Sequence, residues 1–342
     1  MVTPKVSIII LNWNGWKDTI ECLDSLYRID YPNYDVIVVD NGSTDESIKM
    51  IKKYCFGEIE VDSKFFKYNA DNKPIRVLET LEDLKHTPSD FQLYETCEVN
   101  RRLILIKNKE NYGFAKGNNI GIKFALKFFK PDYILLLNND TVVDKDFLSE
   151  LIEFSERTKA DIVGPKIYYY DFNGKKNVIS FIGEKIVPWK AAGKRYGANE
   201  EDRGQYDNPM EVDRVEGSCM LVRAKVFEKV GFLDEDYFLF YEETDFCIRA
   251  KKAGFKIMYC PTAKIWHKVG GSTGKISPIR FYNFARSRVL FIKKNFKLYL
   301  PLYLIYEIYY TGKFLAGLFY RKRPKKLILY HLRGLIDGLL GR

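Results

Sequence analysis

The chain has 342 residues, 46% of them hydrophobic and 15% aromatic, so a sizeable core is available and global disorder is excluded. Lys and Arg outnumber Asp and Glu by 55 to 45, a formal charge of +10 that suits an anionic partner (nucleotide, nucleic acid or membrane surface) without choosing among them. Six scattered cysteines form no CxxC pair and read as reduced cytoplasmic thiols.

The β-branched run from Val6 to Leu11 is too short for the apolar core of a signal peptide and reads as a buried parallel strand. Asn12-Trp13-Asn14-Gly15 makes a loop, and Trp16, Ile20, Leu23 and Tyr27 then recur at helical spacing. A second buried strand from Asp35 to Asp40 ends in the turn-forming Asn41-Gly42-Ser43-Thr44-Asp45, with a helix starting at Glu46. Residues from about 54 to 100 are mixed and charged and read as an insertion with some local structure and no catalytic element. Beyond it, strands are expected around Leu103–Ile106 and Tyr133–Leu137, with a helix around Ala115–Phe129 between them. This alternation predicts an α/β fold, a doubly wound and mostly parallel sheet with ligand groups at the strand C-termini. Asn12, Asp40, Asn111 and Asn138-Asn139-Asp140 all fall at such ends.

A helix from Lys145 to Thr158 and an extended run from Ile162 follow, then hairpins and loops over 171–208. A strand over Val215–Val222 carries Gly217-Ser218. Helices over Ala224–Val230 and Thr244–Ala253 are stopped by Gly231 and Gly254. Short strands from Lys256 and Ala263 lead to His267. From Arg280 the chain turns basic, apolar and aromatic. Glu307 and Lys313 interrupt any span of about 20 apolar residues, so amphipathic helices in a membrane interface fit better, with Tyr as belt residues and the basic run from Arg321 to Lys326 facing anionic headgroups. The alternative is a helical pair packed on the body. The expected division is 1–279 and a C-terminal region 280–342.

Four motifs occur in order: the strand-Asn12-Trp-Asn14-Gly loop, Val-Val-Asp40-Asn-Gly-Ser-Thr-Asp45, Asn111-Tyr-Gly113-Phe-Ala-Lys-Gly117-Asn118-Asn119, and Leu-Leu-Leu-Asn138-Asn139-Asp140-Thr. Together with Tyr-Glu242-Glu243-Thr-Asp245 and Ile-Trp-His267, they resemble the inverting family 2 glycosyltransferases of the GT-A fold, particularly rhamnosyltransferase-like and galactofuranosyltransferase-like members. The resemblance runs from about Val6 to about Arg288, excepting the insertion. It implies transfer of a sugar from a nucleotide-diphosphate donor; the membrane reading of the tail adds the expectation of a glycan or lipid-linked acceptor, on the cytoplasmic face of a membrane.

By that resemblance Asn12, Asn14, Asp40, Asn111, Gly113, Gly117, Asn118 and Asn139 line the nucleotide sugar. Gly217, Ser218 and Glu242 line the acceptor and donor sugar. Asp140 and His267 hold Mn²⁺ or Mg²⁺. The family's Asp-x-Asp has Asn138 at its first position here, which lowers the expected metal affinity. Glu243 is expected as general base, its carboxyl raised by like charges and by Phe238, Phe240 and Phe246; Glu242 is the runner-up. Tight packing remains an alternative role for Gly117, as turn capping does for Asp40. Asp245 is expected to pair with Arg249 one turn on.

A non-catalytic nucleotide-sugar or glycan-binding protein of the same fold is the rival reading. An oxidoreductase is disfavoured because the first strand–helix turn lacks GxGxxG. A nucleic-acid partner is disfavoured because the basic residues accompany an apolar aromatic tail.

Overall fold

The structure, a computed structural model, describes residues 3–83, 91–269, 277–320 and 326–341. His86 and residues 321–325 of the expected basic run lie outside them. The first half alternates strands and helices: β1 (Val6–Asn12), α1 (Trp16–Leu26), β2 (Tyr34–Asp40), α2 (Ser47–Phe56), β3 (Arg76–Leu81), α3 (Phe91–Glu95), β4 (Arg102–Lys107), α4 (Gly113–Phe128) and β5 (Tyr133–Asn138). Then come β6 (Thr141–Val143), α5 (Phe147–Thr158), β7 (Ile162–Tyr169), β8 (Ile179–Phe181), β9 (Gly183–Val187), β10 (Ala192–Tyr196), β11 (Met210–Glu211), β12 (Cys219–Arg223), α6 (Ala224–Val230), α7 (Glu242–Lys252) and β13 (Ile257–His267).

The sheet runs β11-β13-β7-β12-β5-β1-β2-β4-β3, and β3, β4, β2, β1 and β5 are mutually parallel. Only β12 and the edge strand β11 run against this direction along that path. Residues alternate between two cores, as burial on both faces requires: Ile8 and Ile10 pack with α1 and α5 residues, and Ile9 with α4 and α7 residues. The chain leaves β1 toward β2 on one side and pairs β1 with β5 on the other. That reversal opens a crevice beyond the strand C-termini, where open α/β sheets take their ligands.

Three expectations change. The segment 54–100 is not wholly an insertion, because α2 reaches Phe56 and β3 pairs along β4 as the edge of the sheet. Gly217-Ser218 precedes its strand, which starts only at Cys219. The two short strands before His267 are one strand, with a register shift between Tyr259 and Lys264.

The C-terminal region forms α8 (Pro278–Asn295), α9 (Leu300–Tyr320) and α10 (Lys326–Leu340). α10 lies close on α8 because it carries glycine at the contact: a Cβ on Gly334 would come 2.3 Å from the Tyr282 carbonyl oxygen, and one on Gly338 would come 2.8 Å from Val289 Cβ. Arg288 of α8 is buried and pairs with buried Glu307 of α9 at 3.0 Å; His331 of α10 approaches the same carboxylate at 3.6 Å. Among the described residues no helix is long and apolar enough to cross a membrane.

Candidate active site

The crevice floor is a polar lattice built from the strand ends. Asn12 sits at the end of β1, and its amide donates to Asp40 Oδ1 at 2.7 Å and to Ser43 Oγ at 3.2 Å; its own Oδ1 accepts from Thr19 at 2.8 Å. Asp40, at the end of β2, also accepts the Ser43 backbone N–H and hydroxyl at 3.0 and 2.7 Å. Asn14 Oδ1 takes the Thr44 and Asp45 N–H groups. Asn139 donates to Thr19 at 3.0 Å. These side chains are spent on holding the loops of two strands together, so the buried ones act as the frame of the crevice.

Asn111 accepts the Asn41 amide at 2.9 Å and the Gly113 N–H at 2.9 Å. Gly113 has φ +80°, and a Cβ there would lie 2.5 Å from the Phe238 carbonyl oxygen, whose bond from Phe114 N ties the start of α4 to the 238 loop. A Cβ on Gly117 would lie 2.6 Å from a Leu11 methyl, so this glycine lets α4 approach β1. Asn118 donates to the Phe114 carbonyl of its own helix. Asn41 was not singled out in the sequence, yet its side chain bridges Asn108, Asn111, Tyr112 and Gly113. Its place in a turn-rich run hid it, since every neighbour there is equally turn-prone.

Across the crevice Asp140 and His267 meet: His267 Nε2 is 3.1 Å from Asp140 Oδ1. Pairing of β13 with β6 brings His267 opposite Thr141 and so beside Asp140. Burial opposes the imidazolium, but the Asp140 carboxylate, with Glu216 behind it, outweighs burial and holds His267 above its ordinary value. His267 Nδ1 is buried with no hydrogen-bond partner among the described residues, and Glu216 Oε2 stands 3.9 Å from it. A carboxylate oxygen and an imidazole nitrogen converging in this way suit a divalent cation such as Mn²⁺. Among the described residues no third His, Cys, Asp or Glu joins them to complete a metal cage.

The acidic helix α7 starts after two bulky residues in the left-handed region, Phe240 (φ 69°) and Tyr241 (φ 73°), a conformation that persists only where the surroundings impose it. Here Tyr241 donates to the Ala191 carbonyl at 2.6 Å and packs on Phe284 and Phe291 of α8, while Ser287 of α8 donates to the Leu239 carbonyl. Glu243 departs from its expected apolar setting. Phe246 is stacked on Phe227 in the core, Phe240 packs on Phe284 and Phe238 covers Gly113. Glu243 Oε1 instead accepts from Arg214 Nη1 at 2.8 Å. Burial, and next the Glu243 charge, raise the Glu242 carboxyl well above its ordinary value, and its Oε2 has no hydrogen-bond partner among the described residues. Asp245 pairs with Arg249 at 2.6 Å.

The segment 214–218 links the two halves of the site. Arg214 bonds Glu243, Gly217 lies beside Glu243 (a Cβ there would sit at an ordinary contact distance, 3.4 Å from Glu243 Cβ), Glu216 faces His267, and Ser218 donates to Glu216 at 3.1 Å. Sequence reasoning did not single out Arg214 and Glu216; the available signal was charge at Asp213, Arg214 and Glu216 directly before the apolar strand from Cys219.

Residues 80–281 match the family model described as glycosyltransferase like family 2, and residues 7–73 match that of glycosyl transferase family 2. The chain belongs to glycosyltransferase family 2. The family 2 chain is 27% identical over 273 residues to the dTDP-rhamnosyl transferase RfbF of Shigella flexneri, covering 74% of this chain and 84% of that one. It is 35% identical over 225 residues to the N-acetylglucosaminyl-diphospho-decaprenol L-rhamnosyltransferase of Mycobacterium tuberculosis, covering 60% and 70%. A 30% identical match over 157 residues to the low-salt glycan biosynthesis hexosyltransferase Agl10 of Haloferax volcanii spans 46% of this chain and about half, 49%, of that relative. Among solved structures, a mannosyltransferase from Pyrobaculum calidifontis in complex with GDP-Man and Mn²⁺ superposes with a TM-score of 0.57 at 14% identity, covering 100% of this chain and 89% of that one. At that identity the likeness concerns the fold, which is that of GT-A glycosyltransferases.

Proposed function

We propose that this glycosyltransferase transfers rhamnose, or a related hexose, from a nucleotide-diphosphate donor to a hydroxyl of a lipid-linked glycan, with inversion. The observation that carries the reading is the 214–218 segment, which joins a carboxylate held on one side, Glu243, to the Asp140–His267 pair on the other. The names of the Shigella and Mycobacterium relatives support rhamnose as the sugar and a diphospho-lipid as the acceptor carrier.

In this mechanism the donor lies along the ends of β1, β2 and β5, over the lattice of Asn12, Asn14, Asp40, Asn111, Gly113, Gly117, Asn118 and Asn139. Asp140 and His267 would hold a divalent cation, which when bound would supply positive charge against the leaving diphosphate. Gly217, Ser218 and Glu242 border the sugar and the acceptor. Glu243 takes the acceptor proton as the hydroxyl oxygen attacks the anomeric carbon, and a single displacement inverts its configuration. The acceptor's lipid fits the C-terminal helices, whose outer face exposes Leu302, Ile305 and Ile308 on α9 and Leu329 and Ile336 on α10. A face of this kind suits the headgroup region of a membrane without crossing it, which supports reading the enzyme as peripheral, on the cytoplasmic face.

The test is transfer from dTDP-rhamnose, UDP-N-acetylglucosamine and GDP-mannose to a short-chain N-acetylglucosaminyl-diphospho-lipid, with Mn²⁺ or chelator. Glu243→Gln is expected to lose about 10²–10⁴-fold in rate with donor binding kept, and Asp140→Ala to lose metal-dependent donor binding. A Glu243→Gln enzyme that turns over normally refutes the base assignment. Donor affinity indifferent to chelator refutes the metal.

A further inference from the structure

Glu243 is held by a residue that the chemistry above does not use. Arg214 is buried, with a side chain only 7% exposed, and it faces two carboxylates. Nε and Nη2 both point at Glu184 Oε2, at 2.7 and 2.6 Å, and Nη1 donates to Glu243 Oε1 at 2.8 Å. Burial works against a charged guanidinium, but Glu184 first and Glu243 second outweigh it.

Arg214 is itself fixed from several sides. Its backbone forms an isolated bridge to Glu184, and the Asp213 N–H donates to the Glu184 carbonyl at 2.9 Å. Its guanidinium lies over the Phe181 ring, 4.9 Å from the centroid. Glu184 in turn accepts the Gly193 N–H with its other oxygen at 2.6 Å, which locks it to the β9–β10 hairpin. Thus the guanidinium ties a rigid hairpin to the first turn of α7.

The consequence lies in how Glu243 is oriented. Arg214 and the Thr244 hydroxyl, at 3.3 Å, both bind Oε1. Among the described residues Oε2 has no protein partner, so one oxygen is anchored and the other is left to an incoming hydroxyl. A glutamate free to rotate is ordered only when the acceptor arrives, and a carboxylate already fixed avoids that loss. Glu184 supplies a second negative charge to the same guanidinium, so the cation is shared between a holder and the acid it holds.

We propose that Arg214 is the positioning residue of Glu243, with Glu184 as the residue that fixes Arg214. This rests on the reading of Glu243 as general base. In this role Arg214 sets the direction of Oε2 and is expected to leave donor binding unchanged.

The experiment follows steady-state transfer from dTDP-rhamnose to the N-acetylglucosaminyl-diphospho-lipid for wild type, Arg214→Met, Arg214→Lys, Glu243→Gln and the double variant Arg214→Met/Glu243→Gln. Arg214→Met is expected to lower kcat by about 10–100-fold with donor KM within about threefold. Arg214→Lys, which keeps the charge but not the fork, recovers part of the loss. The double variant is expected to be no slower than Glu243→Gln alone, because there is no base left to position. Should Arg214→Met fail to fold by circular dichroism, Arg214→Lys carries the test, with kcat lowered at least about fivefold and donor KM unchanged. A kcat at the wild-type level in the folded variant overturns the proposal. So does a donor KM that rises while kcat stays, which makes Arg214 a donor contact. So does a double variant slowed by the full single-variant factor. Normal turnover by Glu243→Gln overturns the base reading itself, whereas an inactive Glu243→Gln beside a fully active Arg214→Met overturns the positioning role alone.

Discussion

The buried pair of Arg288 and Glu307 is expected to be a strong polar tie between α8 and α9. Both side chains are at most 5% exposed and 3.0 Å apart. Replacing Glu307 with Met keeps the volume but leaves the guanidinium buried without its anion, a change that costs about 3–5 kcal/mol in such sites. Arg288 would keep its bond to the Lys190 carbonyl at 2.9 Å and the faces of Tyr303 and Tyr310 at 5.6 and 4.6 Å. A desolvated cation–π contact offsets up to about 2 kcal/mol, so the lower end, about 3 kcal/mol, is expected, or about 10²-fold in the equilibrium for releasing α9. Trp189 reports this directly, since its ring lies edge-on to Tyr306 of α9 at 5.5 Å. The assay is urea unfolding followed by tryptophan fluorescence, with Trp189→Phe as the blank. Arg288→Met is expected to lose a similar amount, and the double replacement Arg288→Met/Glu307→Met to return within about 1 kcal/mol of wild type, because neither charge is then stranded. A Glu307→Met protein within about 1 kcal/mol of wild type, or a double variant as unstable as the two losses combined, refutes this account.

Gly113→Ala is expected to cost about 2 kcal/mol or more by thermal unfolding, from its positive φ and the 2.5 Å approach to the Phe238 carbonyl. The raised carboxyl of Glu242 makes folding favour its protonated form. Its contribution to stability is therefore complete below its ordinary 4.5 and is lost as pH rises through its higher folded value. Glu242→Gln is expected to match wild type near pH 4 and to exceed it near pH 8, and denaturant midpoints across that range measure the slope. Ile305→Asp/Ile308→Asp, on residues 67% and 76% exposed, is expected to keep the melting temperature and lose at least about tenfold in binding to anionic vesicles. Unchanged sedimentation with vesicles refutes the membrane face.

The sequence by itself determined the parallel sheet and the end of it that carries the site. Runs such as Ile8–Leu11 and Val36–Val39 are apolar at every position, a pattern that suits a strand covered on both faces, and the polar residues that follow them fall at strand ends. The pairing of Asp245 with Arg249 was legible as well, because a spacing of four on a helix fixes proximity without tertiary information. Only the tertiary structure decided the surroundings of Glu243. Its partner Arg214 is 29 residues away, and Glu184, which steadies Arg214, is 30 residues before that. No local spacing encodes contacts of that separation. The aromatic residues near Glu243 in sequence suggested an apolar pocket, but α7 turns Phe246 into the core and the 238–241 turn sends Phe240 toward α8. Likewise the apolar and basic character of the tail was plain in the sequence, while the charge buried between its helices was not: a lone Glu307 in an apolar run reads as an interruption until Arg288 is seen to meet it.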